Sequence, residues 1–155
     1  MEAAATIRKA VREDRRQVAA MRAELWPDGD LEEHLSEFDE QLATGMNGTL
    51  PAATFVAQGL HGDLIGFVDA GLRSHAEGCD PMQAVGYVEG WFVRESERNG
   101  GIGRALLQAA EEWARSRGCL EMASDAFMDN PNSLAAHQAL GFEVVESCYH
   151  FRKSL

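Results

Sequence analysis

Between Gly86 and Gly118 the sequence leaves the chain little freedom. Gly86 to Val93 (Gly-Tyr-Val-Glu-Gly-Trp-Phe-Val) is rich in strand formers but carries a carboxylate, Glu89, and a glycine, Gly90, at its middle. A glycine inside a strand marks a bulge or a close approach to the backbone. A polar turn follows, ending in Arg98-Asn99-Gly100-Gly101-Ile102-Gly103-Arg104. A long helix then turns Ile102, Leu106, Ala109, Ala110 and Trp113 inward and stops at Gly118. The glycines expose successive backbone N–H groups at the positive end of a helix, an arrangement suited to a phosphate-bearing ligand. The loop lacks the Lys-Ser/Thr ending of nucleotide hydrolases, and Leu106 stands where a dinucleotide fingerprint needs its third glycine. A plain turn at the start of a helix is the competing reading of the glycines alone.

The flanking pattern is an alternation of helix and strand. Thr6 to Val11 reads as a strand, and Glu13 and Asp14 open a helix with Val18, Met21 and Leu25 on one face, stopped by Trp26-Pro27-Asp28-Gly29. Asp30 caps a second helix with Leu31, Leu35, Phe38 and Leu42 on one side and Glu32, Glu33, Glu37 and Glu40 on the other. Residues 53–58 and 64–73 read as a hairpin around Gly59–Asp63, followed by an exposed loop from Ser74 to Pro81. Cys119 to Asp125 is a further strand, Asn130 and Pro131 start a helix closed by Gly141, and Phe142 to Phe151 is expected as a last strand. The order β-α-α-β-β-β-α-β-α-β is an α/β (α+β) mixture, antiparallel in its first half with a crossover helix in its second.

The 155 residues make one domain, 1–155, with no linker or internal repeat. Twenty-five Asp and Glu against 14 Lys and Arg give a net charge of −11, which repels nucleic acid and anionic membranes and attracts cationic small molecules or basic peptides. The three cysteines (Cys79, Cys119, Cys148) form no paired framework, no leader pattern opens at Met1, and no apolar run approaches membrane-spanning length. A cytoplasmic location with reduced thiols is expected. The five histidines have no metal-binding spacing, and Glu33 stands where a calcium loop from Asp28 would need glycine, so no metal is expected.

Arg98-x-x-Gly101-x-Gly103 behind the strand Tyr87–Val93, with Asn130 and His137-Gln138-Ala139-Leu140-Gly141-Phe142 further on, resembles the GNAT superfamily of N-acetyltransferases. Leu25-Trp26-Pro27, Gly66–Ala70, Gly78-Cys79-Asp80, Val88-Glu89-Gly90, Glu121–Asp125 and His137–Glu143 are similar to the dimeric, chromosomal aminoglycoside 6′-N-acetyltransferases within it. The resemblance implies a mixed, mostly antiparallel sheet with helices on both faces, and acetyl transfer from acetyl-CoA to an aminoglycoside amine. It also implies a homodimer. A polyamine or a protein N-terminus is the alternative acceptor, and a CoA-binding module without turnover is a third possibility.

Carried over by position, the resemblance puts the donor against Trp91, Phe92 and Val93, its pyrophosphate at Arg98, Asn99, Gly100, Gly101, Ile102, Gly103 and Arg104, and Asn130 beside the pantetheine arm. Acceptor contacts fall on Trp26, Glu89, Asp125 and Glu146: three carboxylates for ammonium groups and one indole for a sugar face or a cation. Asp125 or Glu89 is the expected general base, because the attacking amine must lose a proton. The usual acid tyrosine is replaced by His137, and Tyr149 is the other candidate to protonate the departing thiolate. Direct attack makes the cysteines ordinary small apolar residues. The loop Ser74–Glu77 is shorter than in the relatives and lacks an aromatic residue they place near the sugar.

Overall fold

Strands β1 (Ala5–Lys9), β3 (Leu50–Gly59), β4 (Leu64–Arg73), β5 (Val85–Val93) and β6 (Met122–Ser124) lie side by side in that order in the computed structural model, which describes residues 5–155. A two-residue strand, β2 (Met46–Asn47), pairs with the start of β3. The pairs β1–β3, β3–β4 and β4–β5 are antiparallel, and only β5–β6 is parallel. That one parallel pair follows from the crossover through helix α3 (Ile102–Ser116). Met1–Ala4, the start of the stretch in which no leader pattern is expected, lie outside the described residues.

Helices cover both faces of the sheet. On one face, Val18 and Met21 of α1 (Arg15–Leu25) and Phe38 of α2 (Leu31–Thr44) pack with Val56, Phe67 and Phe92. Phe38 and Phe67 are fully buried, which contributes about 1.5–3 kcal/mol each. On the other face, Leu106, Ala110 and Trp113 of α3 meet Val68, Ala70 and Val88. The alternation of Phe67, Val68 and Ala70 between the two clusters is the period of two expected of a strand covered on both sides.

Asp30 caps α2 as anticipated, its Oδ1 accepting the Glu32 N–H at 3.2 Å. Asn130 caps α4 (Pro131–Ala139), accepting the Ser133 N–H at 3.0 Å. One expectation needs correction, and one element is new. The last strand does not form: residues 142–155 are neither helix nor strand, and Val144, Val145, Tyr149 and Phe151 are exposed. Adjacent Val144 and Val145 break the alternation a one-faced strand requires, and the three residues of β6 offer a short edge for pairing. β2 was not anticipated, because two residues leave no periodicity to read.

The fold's opening lies along β5. Asp69 pairs with Gly90 and Ala70 with Val88, so Glu89 is an extra residue, a bulge. On the opposite edge, β6 pairs only with Gly86 to Val88. From Glu89 to Val93 no strand flanks β5 on that side among the described residues.

Candidate active site

The bulge re-aims Glu89. Its carboxylate turns to the α1–α2 side of the sheet, into a groove lined by Trp26, Glu37, Glu40, Gln41, Asp69 and Glu89. Trp26 ends α1 and sets its indole against Phe67, edge to face at 6.4 Å, with the His34 ring 6.0 Å away. Proline next in sequence stops the helix there, so the large ring lies at the groove rather than over another turn.

A buried polar network forms the groove floor. Arg22 donates from Nε and Nη2 to the two oxygens of Asp69 at 3.0 and 2.8 Å, and the Thr54 hydroxyl donates to Asp69 Oδ1 at 2.6 Å. Gln41 donates to Thr54 Oγ1 at 2.8 Å, joining α2 to the sheet. A buried charge left unpaired is costly, and here Arg22 and Asp69 satisfy each other. The floor therefore contributes no net charge, and the acidity of the groove comes from Glu37 and Glu40.

Glu89 is tied to Arg73 at the end of β4 by a two-point pair, Nε to Oε1 at 2.9 Å and Nη2 to Oε2 at 2.8 Å. The Arg73 guanidinium carbon lies 3.5 Å from the centre of the Tyr87 ring. Tyr87 donates its hydroxyl to Asp125 Oδ2 at 2.9 Å. Burial first, then the Asp125 carboxylate, pushes the Tyr87 hydroxyl up to about 12, so it stays a donor at neutral pH. Glu89 and Asp125 thus belong to one chain of contacts, Glu89–Arg73–Tyr87–Asp125. Arg73 and Tyr87 escaped the sequence reading, although Tyr87 stands two residues before Glu89, on the same face by strand alternation. Glu146 is exposed on the irregular C-terminal segment, and no hydrogen bond or ion pair among the described residues joins it to the groove.

Across the sheet, α3 begins without a side-chain cap: Gly101 occupies the cap position at φ 85°. The first-turn N–H groups of Ile102, Gly103 and Arg104 are therefore left to solvent or to an anion. Asn99 is also left-handed, at φ 65°. Arg98 bends back, donating from Nε to the Val93 carbonyl at 2.8 Å, and fixes the loop to the end of β5. The Trp91 indole donates to the Gly103 carbonyl at 3.0 Å and locks strand to helix. Phe92 faces the α1 core, whereas Trp91 and Val93 pack on the α3 side.

His137 sits in α4 with its ring edge to face against Trp91 at 5.3 Å and Phe142 at 5.2 Å. Its Nδ1 lies 2.7 Å from the Ser133 carbonyl and its Nε2 2.8 Å from Ser124 Oγ. A carbonyl only accepts, so Nδ1 carries the hydrogen; in the neutral ring Nε2 is then the acceptor facing the serine hydroxyl. Neither ring nitrogen is free, and the ring wedges α4 against β5 and β6. Tyr149 is exposed outside the groove's lining. Cys79, Cys119 and Cys148 are free thiols, and burial raises the first two above the ordinary thiol value. Among the described residues no three His, Cys, Asp or Glu side chains converge as a metal site.

Residues 14–142 match the Acetyltransferase (GNAT) family. An aminoglycoside N(6′)-acetyltransferase type 1 of Klebsiella aerogenes is 45% identical over 136 residues, 88% of either chain. Another from Stenotrophomonas maltophilia is 38% identical over 152 residues, 98% of this chain and 95% of its own. Among solved structures, the fold is similar to AAC(6′)-Iy in complex with the bisubstrate analogue CoA-S-monomethyl-acetylneamine, at a TM-score of 0.87 and 35% identity. That match covers 97% of this chain and 99% of the other.

Proposed function

The chain belongs to the acetyltransferase (GNAT) family, and from this premise we propose that it transfers the acetyl group of acetyl-CoA to the 6′-amine of an aminoglycoside, a reaction that confers resistance. The observation that carries the reading is the bulge at Glu89. One residue inserted into β5 aims a carboxylate into an acidic groove beneath Trp26, while the same strand leaves its other edge open beside an uncapped helix N-terminus.

The open edge and the uncapped helix fit the donor. The loop from Arg98 to Arg104 holds the pyrophosphate, with the first-turn N–H groups as donors and Arg98 shaping the turn. The backbone of Trp91, Phe92 and Val93 would run along the pantetheine arm. Asn130 spends its side-chain oxygen on the α4 cap and keeps its amide nitrogen for that arm. When bound, acetyl-CoA supplies an acetyl thioester already activated for attack.

The groove residues handle the amine. Trp26 gives a flat apolar wall to a sugar ring, and Glu89 anchors an ammonium. An alkyl amine with a pKa of about 10.4 arrives protonated and must shed protons to react. Asp125 accepts the proton, directly or through a water, because its Oδ1 accepts no hydrogen bond among the described residues while both oxygens of Glu89 are engaged. Backbone N–H groups at the opened strand oppose charge developing on the carbonyl oxygen.

Two further features belong to this reading. The exposed Val144, Val145, Tyr149 and Phe151 and the short edge of β6 support a homodimer in which a second copy covers them and brings Glu146 to an acceptor site. Free thiols support a cytoplasmic enzyme, residues 1–155 forming one domain, and no helix among the described residues is long and apolar enough to cross a membrane. The product identifies the reaction: incubation with tobramycin and acetyl-CoA is expected to give a single acetamide whose proton couplings place it at C6′. An amide at another amine would overturn the proposed site of attack.

A further inference from the structure

The two-point pair between Arg73 and Glu89 raises a question the reaction alone does not answer. Glu89 is the carboxylate aimed into the acceptor groove, yet both of its oxygens are already taken by a cation from the protein itself. We propose that Arg73 is a specificity-determining residue that occupies the acceptor's ammonium site on Glu89, so that only an amine able to displace it is admitted. This rests on the aminoglycoside reading above.

Three observations carry it. A guanidinium presents two N–H donors and one positive charge to a carboxylate, the same chemistry an acceptor ammonium presents. The side chains of Arg73 and Glu89 are 42% and 31% exposed, and ion pairs in that much solvent hold together weakly. Arg73 also has another perch: its guanidinium lies on the face of Tyr87, 3.5 Å from the ring centre, and the aromatic face keeps the cation once the carboxylate is surrendered. The buried pair of Arg22 with Asp69 on the same sheet face differs in kind, because its arginine side chain is only 4% exposed. A buried pair is costly to open, whereas Arg73 is placed to be exchanged.

The test compares wild type with R73Q, E89Q and the double variant by steady-state kinetics with tobramycin, and records KM for acetyl-CoA and thermal melting alongside. R73Q removes the charge, and its shorter side chain takes the cation away from both Glu89 and the Tyr87 ring. It is expected to lower KM for tobramycin about three- to fivefold, read in KM rather than kcat, with KM for acetyl-CoA unchanged. In the E89Q background the same change is expected to have no effect, because nothing remains to compete for. R73K, which keeps the charge but loses the two-point contact and the flat stacking, is expected to fall between wild type and R73Q; should R73Q not fold, R73K decides by the direction of its KM. A rise in KM or a tenfold fall in kcat with R73Q would mean that Arg73 holds Glu89 in place for the acceptor, and would overturn the proposal. An equal drop in KM with and without Glu89 would show a general field effect and overturn it as well. If wild type acetylates spermidine but not tobramycin, the aminoglycoside reading fails on its own, and the same four proteins assayed with spermidine still decide the role of Arg73.

Discussion

The indole of Trp26 lies directly over Gly90: a β-carbon built on the glycine would stand 2.5 Å from Cη2 of the ring. Wall and strand therefore meet with no room between them, and the bulge that aims Glu89 also sets the position of the indole. Alanine at Gly90 must push the ring outward, an overpacking that costs about 1–3 kcal/mol. Gly90→Ala is expected to raise KM for tobramycin at least tenfold and to lower the melting temperature. Steady-state kinetics beside a thermal melt checks both; an unchanged KM would mean that the indole does not wall the acceptor site.

The two carboxylates are expected to separate kinetically. Asp125→Asn removes the proposed proton acceptor, and kcat is expected to fall by about 10²–10⁴-fold with KM less affected. Glu89→Gln removes the proposed ammonium anchor, and KM for the aminoglycoside is expected to rise more than kcat falls. The reverse pattern would exchange the two roles.

Gly101 stands at φ 85°, where an L-residue costs about 1–2 kcal/mol. Apart from its neighbours along the chain, no atom lies within 4 Å of the position its β-carbon would take, so Gly101→Ala acts through the backbone and not through a clash. A loop pulled from this conformation would turn its N–H groups away from the proposed pyrophosphate site. KM for acetyl-CoA is expected to rise about tenfold while KM for tobramycin stays unchanged, which separates the donor loop from the acceptor groove.

Asp14, buried at the start of the first helix, accepts two bonds from Arg8, at 2.7 and 2.9 Å, and one from the Val11 N–H at 2.8 Å. The Arg8 guanidinium above all holds the Asp14 carboxyl below its ordinary value. A folded pKa below the unfolded one means stability that is present above about pH 4 and lost as the pH falls through the folded value. Asp14→Asn is expected to lower unfolding stability at pH 7 by about 1.5–3 kcal/mol, the usual worth of hydrogen bonds to charged groups. Urea midpoints measured from pH 7 downward should show the gap between variant and wild type closing below about pH 4; a gap independent of pH would remove charge from the explanation.

What could be read from the sequence was what depends on neighbours along the chain. Asp30 and Asn130 cap their helices, Gly90 marks the bulge, and the glycine loop opens α3, because each signal lies within a few residues of its effect. What could not be read depends on register between distant segments. Arg73 and Glu89 meet across β4 and β5, where the bulge shifts the pairing by one residue. The floor joins Arg22 to Asp69, 47 residues apart, and each looks like an ordinary surface charge in sequence. The last strand was expected from weak alternation between residues 142 and 151, and alternation alone supplies no partner for the backbone.

The central claim is tested most directly by the release of CoA thiol from acetyl-CoA with tobramycin, set against an aminoglycoside that carries a hydroxyl in place of the 6′-amine. The account predicts rapid release with tobramycin and little with the hydroxyl compound. Equal release with both would contradict attack by the 6′-amine, and release only with spermidine or a basic peptide would contradict the aminoglycoside as acceptor.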